Sequence, residues 1–155
     1  VIDTLIALEL DKPAMEVPSV AVVHHSGSLA FGAKATASNV FQKQPEYGAD
    51  KALDDDMDTR WATDSGTQQA WLEVDLGKPQ TFTKVALHEW QGADPRIRKF
   101  EVQYRDATDW KTIFAGTTMG RDFKQSFPAV TARVVRLHIL DATEGPTIDE
   151  FQILK

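Results

Sequence analysis

Hydrophobic and polar residues alternate along much of this 155-residue chain. In Trp71-Leu-Glu-Val-Asp-Leu76, Leu72, Val74 and Leu76 fall on one side and Glu73 and Asp75 on the other. Phe100, Val102 and Tyr104 share a face in the same way, as do Val135, Leu137 and Ile139. Residues 82–87, 110–114 and 151–154 are of the same kind. A period of two sends successive side chains to opposite faces of a strand, so each segment reads as a strand with one buried face. Gly77-Lys-Pro79, Gly92 to Pro95, Gly116, Gly120 and Gly145-Pro146 separate them as turns. No long window shows a helical face, and one short turn near Tyr47 to Leu53 is the single helical expectation. Short alternating strands with turns between them predict an all-β sandwich or barrel.

Ile6, Leu8 and Leu10 also alternate, but Pro13, Pro18 and Ser26-Gly-Ser28 follow them. We therefore expect residues 1–25 to be the last strand of a preceding domain plus its linker, and residues 26–155 to be the domain itself. The start of the chain lacks the basic segment and apolar run of a signal peptide. It begins in mid-strand without Met and reads as a piece of a larger protein.

Composition narrows the partners. The net charge of −6 argues against nucleic acid and anionic membrane surfaces, which reward clustered Lys and Arg. No apolar run approaches the roughly 20 residues of a membrane-spanning helix. The absence of cysteine excludes disulfides and Cys-ligated zinc. His24-His25 has no metal-ligand spacing and is expected to be solvated.

The most informative stretch is Lys51-Ala-Leu-Asp-Asp-Asp-Met-Asp-Thr-Arg-Trp61. Asp54, Asp56 and Asp58 match the first, third and fifth positions of an EF-hand loop. The sixth should be Gly and is Thr59, and the twelfth should be Glu and is Ser65, so that reading fails. Another calcium site remains open, because Ca²⁺ accepts carboxylate, hydroxyl and carbonyl oxygens freely. A solvated acidic turn and a catalytic carboxylate pair remain beside it.

Its neighbours add a resemblance. Ala35-Thr-Ala-Ser38, Ala52 to Thr63, Trp71 to Gly77, Arg96 to Tyr104, Trp110-Lys-Thr-Ile113, Ala132 to Leu137 and Ile148-Asp-Glu-Phe151 follow one another in order. Together they resemble the discoidin family, also called the coagulation-factor type C domain. The resemblance covers about residues 29 to 155. It implies a galactose-binding-domain-like jelly-roll β-sandwich of about eight antiparallel strands. It also implies one structural Ca²⁺, held by Lys51, Asp54, Asp56 and Thr59 and closed by Asp149 and Glu150. The usual Gly after the first Asp is Asp55 here, a residue that tolerates left-handed backbone better than most. Animal members close their termini with a disulfide, so a chain without Cys resembles the bacterial branch, whose members are carbohydrate-binding modules.

Residues 3–13 resemble the final strand of the sandwich that follows the catalytic barrel in bacterial α-L-fucosidases, with a β-hexosaminidase or chitobiase as the neighbouring possibility. The implied function is a non-catalytic carbohydrate-binding module of a secreted or surface glycosidase. Its partners would be a glycan and the catalytic domain of the same chain, and its location extracellular, cell-surface or periplasmic. The alternative is a purely structural accessory domain packed on the barrel.

A sugar is bound by an aromatic ring on its C–H face and planar polar groups on its hydroxyls. The richest candidate is His88-Glu-Trp-Gln-Gly-Ala-Asp-Pro-Arg96, with Trp90 as platform, Arg96 as fork, and Glu89 or Gln91 as hydroxyl partners. Asp64 and Gln68 would contribute from the facing loop. Trp61, Trp71 and Trp110 are expected to be packing residues. Galactose-binding members often carry a His and a late aromatic where this chain has Thr67-Gln-Gln69 and Ala142 to Pro146.

Overall fold

The computed structural model describes residues 25–90 and 92–155. The strands are β1 (Lys34–Ala37), β2 (Trp61–Ala62), β3 (Ala70–Glu89), β4 (Ile97–Asp106), β5 (Asp109–Gly116), β6 (Phe123–Ala142) and β7 (Thr147–Leu154), all paired antiparallel. The order of pairing is β2-β7-β3-β6-β4-β5, with β1 on β3. Among the described residues seven strands stand where about eight were expected, because β3 and β6 are 20 residues each and pass through both layers.

Two register shifts make that possible. Asp75 pairs with Val134 and Gln80 with Ala132, so Leu76 to Pro79 oppose only Arg133. The expected turn at Gly77-Lys-Pro79 is therefore a bulge inside one bent strand, with Gly77 in the left-handed region at φ 79°. Phe82 pairs with Val130 and Lys84 with Ser126, which leaves Phe127 to Ala129 as a second bulge. Pro128 sits there, where a strand can spare its N–H. The shift also lets Phe82 and Val85, three apart, both face the core.

The halves of β3 and β6 then lie in opposed layers. Ala70–Asp75 and Val134–Ile139 pair beside β1, β4 and β5, whereas Gln80–Glu89 pairs with Phe123–Ala132 and β7. The rings of Phe100 on β4 and Phe123 on β6 meet edge to face at 5.2 Å, and Phe114 on β5 stacks on Phe123 at 5.9 Å. These contacts close a β-sandwich. The alternating residues fill it: Leu72, Val74, Phe100, Val102, Val135, Leu137 and Ile139 are fully buried. Gly116 pairs with Phe100, and a Cβ there would lie 2.5 Å from the Phe100 ring.

Three 3-10 turns, Phe41–Lys43, Pro45–Tyr47 and Ala49–Ala52, cross one end of the sandwich, the last where the helical turn was expected. Trp61 is a core residue whose Nε1 donates to the Asn39 carbonyl at 2.9 Å. Trp71 and Trp110 are only half-buried. Trp110 lies under two guanidiniums, Arg136 at 4.0 Å and Arg105 at 4.6 Å, because its pairing with Arg105 turns it to the outer face of the sheet. The strand expected at Ile6 to Leu10 and most of the expected linker lie outside the described residues. His25 is not simply solvated: its ring is 3.9 Å from that of Phe31 and Nδ1 is 3.6 Å from Asp55.

Candidate functional site

The acidic turn and the far end of the chain meet through a bulge in β7. His88 pairs with Glu150 and Glu89 with Ile148, so Asp149 is the extra residue and alternation is lost. Asp149 and Glu150 are both buried, and Glu150 Oε1 accepts the Asp56 N–H at 3.1 Å. Burial, then the carboxylates of Asp55 and Asp54, push the Glu150 carboxyl up to about 8.

Above it an oxygen cluster forms around Thr59. The Thr59 hydroxyl lies 2.8 Å from both Asp54 carboxylate oxygens, 3.2 Å from the Lys51 carbonyl and 3.1 Å from the Asp56 carbonyl. One hydroxyl proton serves only one of those acceptors. The other oxygens crowd the same hydroxyl, with the Lys51 ammonium 3.9 Å from Asp54 Oδ2 as the positive charge beside them, an arrangement that a hard cation would relieve further. Among the described residues no three Asp, Glu or His side chains converge on a point, so any such site depends on main-chain carbonyls and a hydroxyl. Asp56 enters by its carbonyl, because its exposed carboxylate accepts the Asp58 N–H at 3.0 Å. Asp55 takes the left-handed conformation at φ 57°, and its carboxylate turns away to the Ser26 N–H and hydroxyl at 2.9 and 2.7 Å. That latch to residues 25–28 gives Asp a role where Gly would have none.

The turn runs directly into a cleft. Trp61 points into the core, and on either side of it the half-buried Arg60 and the buried Ala62 line the cleft with Trp90, Arg96, Tyr47 and Glu144. The Arg60 guanidinium sits 4.5 Å from the Trp90 ring centre and 5.1 Å from that of Tyr47. Phe41 meets Tyr47 edge to face at 5.4 Å and closes that wall. Arg96 Nη1 donates to the Gly145 carbonyl at 3.0 Å, with its Cζ 6.0 Å from the Trp90 ring. The Gly66 and Gly145 N–H groups, then the charge of Arg96, hold the Glu144 carboxyl below its ordinary range. The cleft has a volume of about 220 Å³.

Several expected ligand residues serve the scaffold instead. Glu89 is 2% exposed and its carboxylate accepts the N–H groups of Arg96, Ile97 at 2.9 Å and Gly120 at 3.1 Å. A carboxylate fully engaged by buried backbone donors has nothing left for a sugar hydroxyl. Asp64 turns to the Gln42 N–H at 2.7 Å and the Asn39 amide at 2.9 Å, which fixes the 39–42 segment and lowers its carboxyl. Gln68 is exposed outside the cleft, and Gln91 lies outside the described residues. Trp90 and Arg96 do come together, although Arg60 already covers part of the indole expected to be an open platform. Arg60, Tyr47 and Glu144 were not anticipated. The alternation around Trp61 was the available signal for Arg60.

Residues 34–151 match the family model of the F5/8 type C domain. The chain belongs to the F5/8 type C domain family. It is 28% identical over 152 residues, 96% of its length, to an Oryza sativa subsp. japonica protein named "Putative alpha-L-fucosidase 1", and spans 29% of that protein. Among solved structures it is similar to a Ruminococcus gnavus GH29 fucosidase in complex with fucose, at 30% identity and a TM-score of 0.75, covering 83% of this chain and 26% of that one. It is also similar to chitosan-binding module 1 of the chitosanase/glucanase from Paenibacillus sp. IK-5, at 29% identity and a TM-score of 0.73, covering 85% of this chain and 100% of that module. The F5/8 type C fold thus occurs both as a sugar-binding module and inside a fucosidase among its relatives, and this chain is a carbohydrate-binding-module-like domain of that kind.

Proposed function

We propose that this chain is a non-catalytic carbohydrate-binding module, stabilised by a structural Ca²⁺, that serves a larger glycosidase of the α-L-fucosidase type outside the cytoplasm. The observation that carries the glycan reading is the cleft at the end of the sandwich, where Trp90, Tyr47, Arg60 and Arg96 converge. Aromatic edges suit the C–H groups of a sugar, and guanidiniums donate in fixed pairs to neighbouring oxygens. At about 220 Å³ the cleft is smaller than the roughly 300–1,000 Å³ of drug-sized sites and suits one terminal sugar. Affinity for so small a ligand is modest, and linkage to an enzyme would raise it through effective concentration.

The calcium reading rests on the single proton available to the oxygens around Thr59 and on the buried carboxyl of Glu150 beside them. The ion would be held by the carbonyls of Lys51 and Asp56, the carboxylates of Asp54 and Glu150, and Thr59. Its role would be to fix the turn that delivers Arg60 to the cleft. Both the α-L-fucosidase parent and the location outside the cytoplasm are inferred from the chain's similarity to fucosidase modules. A glycan array followed by calorimetric titration tests the function. A folded chain that binds no glycan would leave only a structural accessory role.

A further inference from the structure

We infer that the sugar held in this cleft carries an acidic substituent, a carboxylate or a sulfate, received by Arg60 and Arg96; this rests on the glycan reading above. The two guanidiniums differ from Arg105, Arg133 and Arg136 of the sheet, which are paired with carboxylates, and unlike the similarly unpaired Arg98 and Arg121 they line the cleft. Arg133 is bidentate to Asp75, and Arg105 and Arg136 both reach Glu73. Neither Arg60 nor Arg96 has a carboxylate within 4.0 Å among the described residues.

Arg60 is held by the rings of Trp90 and Tyr47, at 4.5 and 5.1 Å. Cation–π contact of this kind orients a guanidinium through its face and leaves its N–H groups, which lie in the plane, for another partner. Arg96 commits Nη1 to the Gly145 carbonyl and keeps further donors. The one carboxylate among the cleft's lining residues, Glu144, takes the N–H groups of Gly66 and Gly145 on Oε1 and feels the charge of Arg96 without closing an ion pair within 4.0 Å. With two cations and one anion, the lining is net positive on a chain whose overall charge is −6. The global field repels a long polyanion, whereas the local pair suits one charged group on one terminal sugar. Guanidinium matches carboxylate and sulfate geometry through paired N–H donors. The partly covered Trp90 ring also offers less of the open platform that a neutral sugar uses.

The test is an array in which each neutral oligosaccharide stands beside its uronic-acid, sialylated and sulfated counterparts, followed by titration of the matched pairs with the whole chain. We expect an acidic member to bind about tenfold or more tighter than its neutral parent, with the ratio shrinking as salt rises from about 0.05 to 0.5 M. The uronic-acid and sulfate arms separate the two sources of charge. Arg96→Gln and Arg60→Gln should each reduce the ratio, and Arg60→Lys, which keeps the charge and loses the fork, should reduce it in part. Equal binding of acidic and neutral members, or a ratio that survives Arg60→Gln with Arg96→Gln, overturns the inference and leaves the glycan reading standing. Binding of no sugar at all by a folded chain overturns both.

Discussion

The guanidinium of Arg60 lies 4.5 Å from the centre of the Trp90 ring, joining the end of the acidic turn to the start of the 90–96 loop. Each side chain holds the other in place, so removing the ring costs more than its own contact with a ligand. Trp90→Ala should weaken glycan binding by at least about tenfold, as loss of a central aromatic does in other binding sites. Gly92→Ala offers a gentler check, since a Cβ there would lie 2.2 Å from Trp90 Cζ2 and must displace the indole. Its tryptophan emission should shift and its affinity fall while the fold persists. Calorimetry and fluorescence of both variants decide it.

Glu89 makes the opposite forecast. Its buried carboxylate ties the N–H groups of Arg96 and Ile97, at the start of β4, to that of Gly120 in the loop before β6. Glu89→Ala leaves buried donors without acceptors, each costing about 1–3 kcal/mol. We expect a stability loss of about 3 kcal/mol in urea denaturation, far above that of an exposed ligand-contacting residue. A loss under about 0.5 kcal/mol would return Glu89 to the cleft as a contact residue.

What could be read in advance followed burial. The strands around Leu72, Phe100 and Leu137 were legible because one face is apolar and the other polar, and all three residues are fully buried. The first half of β6 was not, because Lys124, Gln125 and Ser126 are exposed and Pro128 interrupts the run. Only the register shift opposite Phe82 makes a strand with that proline tolerable. Glu89 reads as a hydroxyl partner because it is a polar residue beside Trp90, the candidate platform. Its true partners are backbone N–H groups up to 31 residues away, which no local pattern reveals. Arg60 was hidden inside a packing motif, although alternation about a buried Trp61 turns it away from the core cluster and toward the cleft.

The bulge at Gly77 is secured by Asp75, which is bidentate to Arg133 at 2.7 and 2.8 Å and accepts the Gly77 N–H at 2.9 Å. The Arg133 hydrogen bonds first, then the Gly77 N–H, lower the Asp75 carboxyl to about 2. A carboxyl depressed in the folded state contributes stability above its unfolded value near 4, and that stability is lost as pH falls toward 2. Both side chains are substantially exposed, so screening by solvent keeps the contribution small. Arg133→Ala should lower stability slightly at pH 7 and flatten the acid limb between about pH 4 and 2. Equal losses at pH 7 and pH 2 would refute the pairing.

Glu150 and Thr59 separate a metal site from a solvated acidic turn by opposite signs. A cation bound only to the folded chain stabilises it by mass action, about 2.7 kcal/mol at a free concentration 100 times Kd. The thermal midpoint should therefore rise with Ca²⁺ and fall with EDTA. Thr59→Ala removes one oxygen of the cluster and should weaken that response. Glu150→Gln replaces a buried carboxyl that, without a metal near neutral pH, must take up a proton because burial and the carboxylates of Asp55 and Asp54 disfavour its charge. It should make the chain more stable than the parent in EDTA and nearly insensitive to Ca²⁺, because the repulsion and the ligand leave together. A merely solvated turn predicts something different: no calcium response in the parent or in either variant, whatever the metal-independent effect of each substitution. Melts of the three proteins in EDTA and in millimolar Ca²⁺ distinguish the cases, and a parent midpoint unmoved by Ca²⁺ would exclude the ion from this turn.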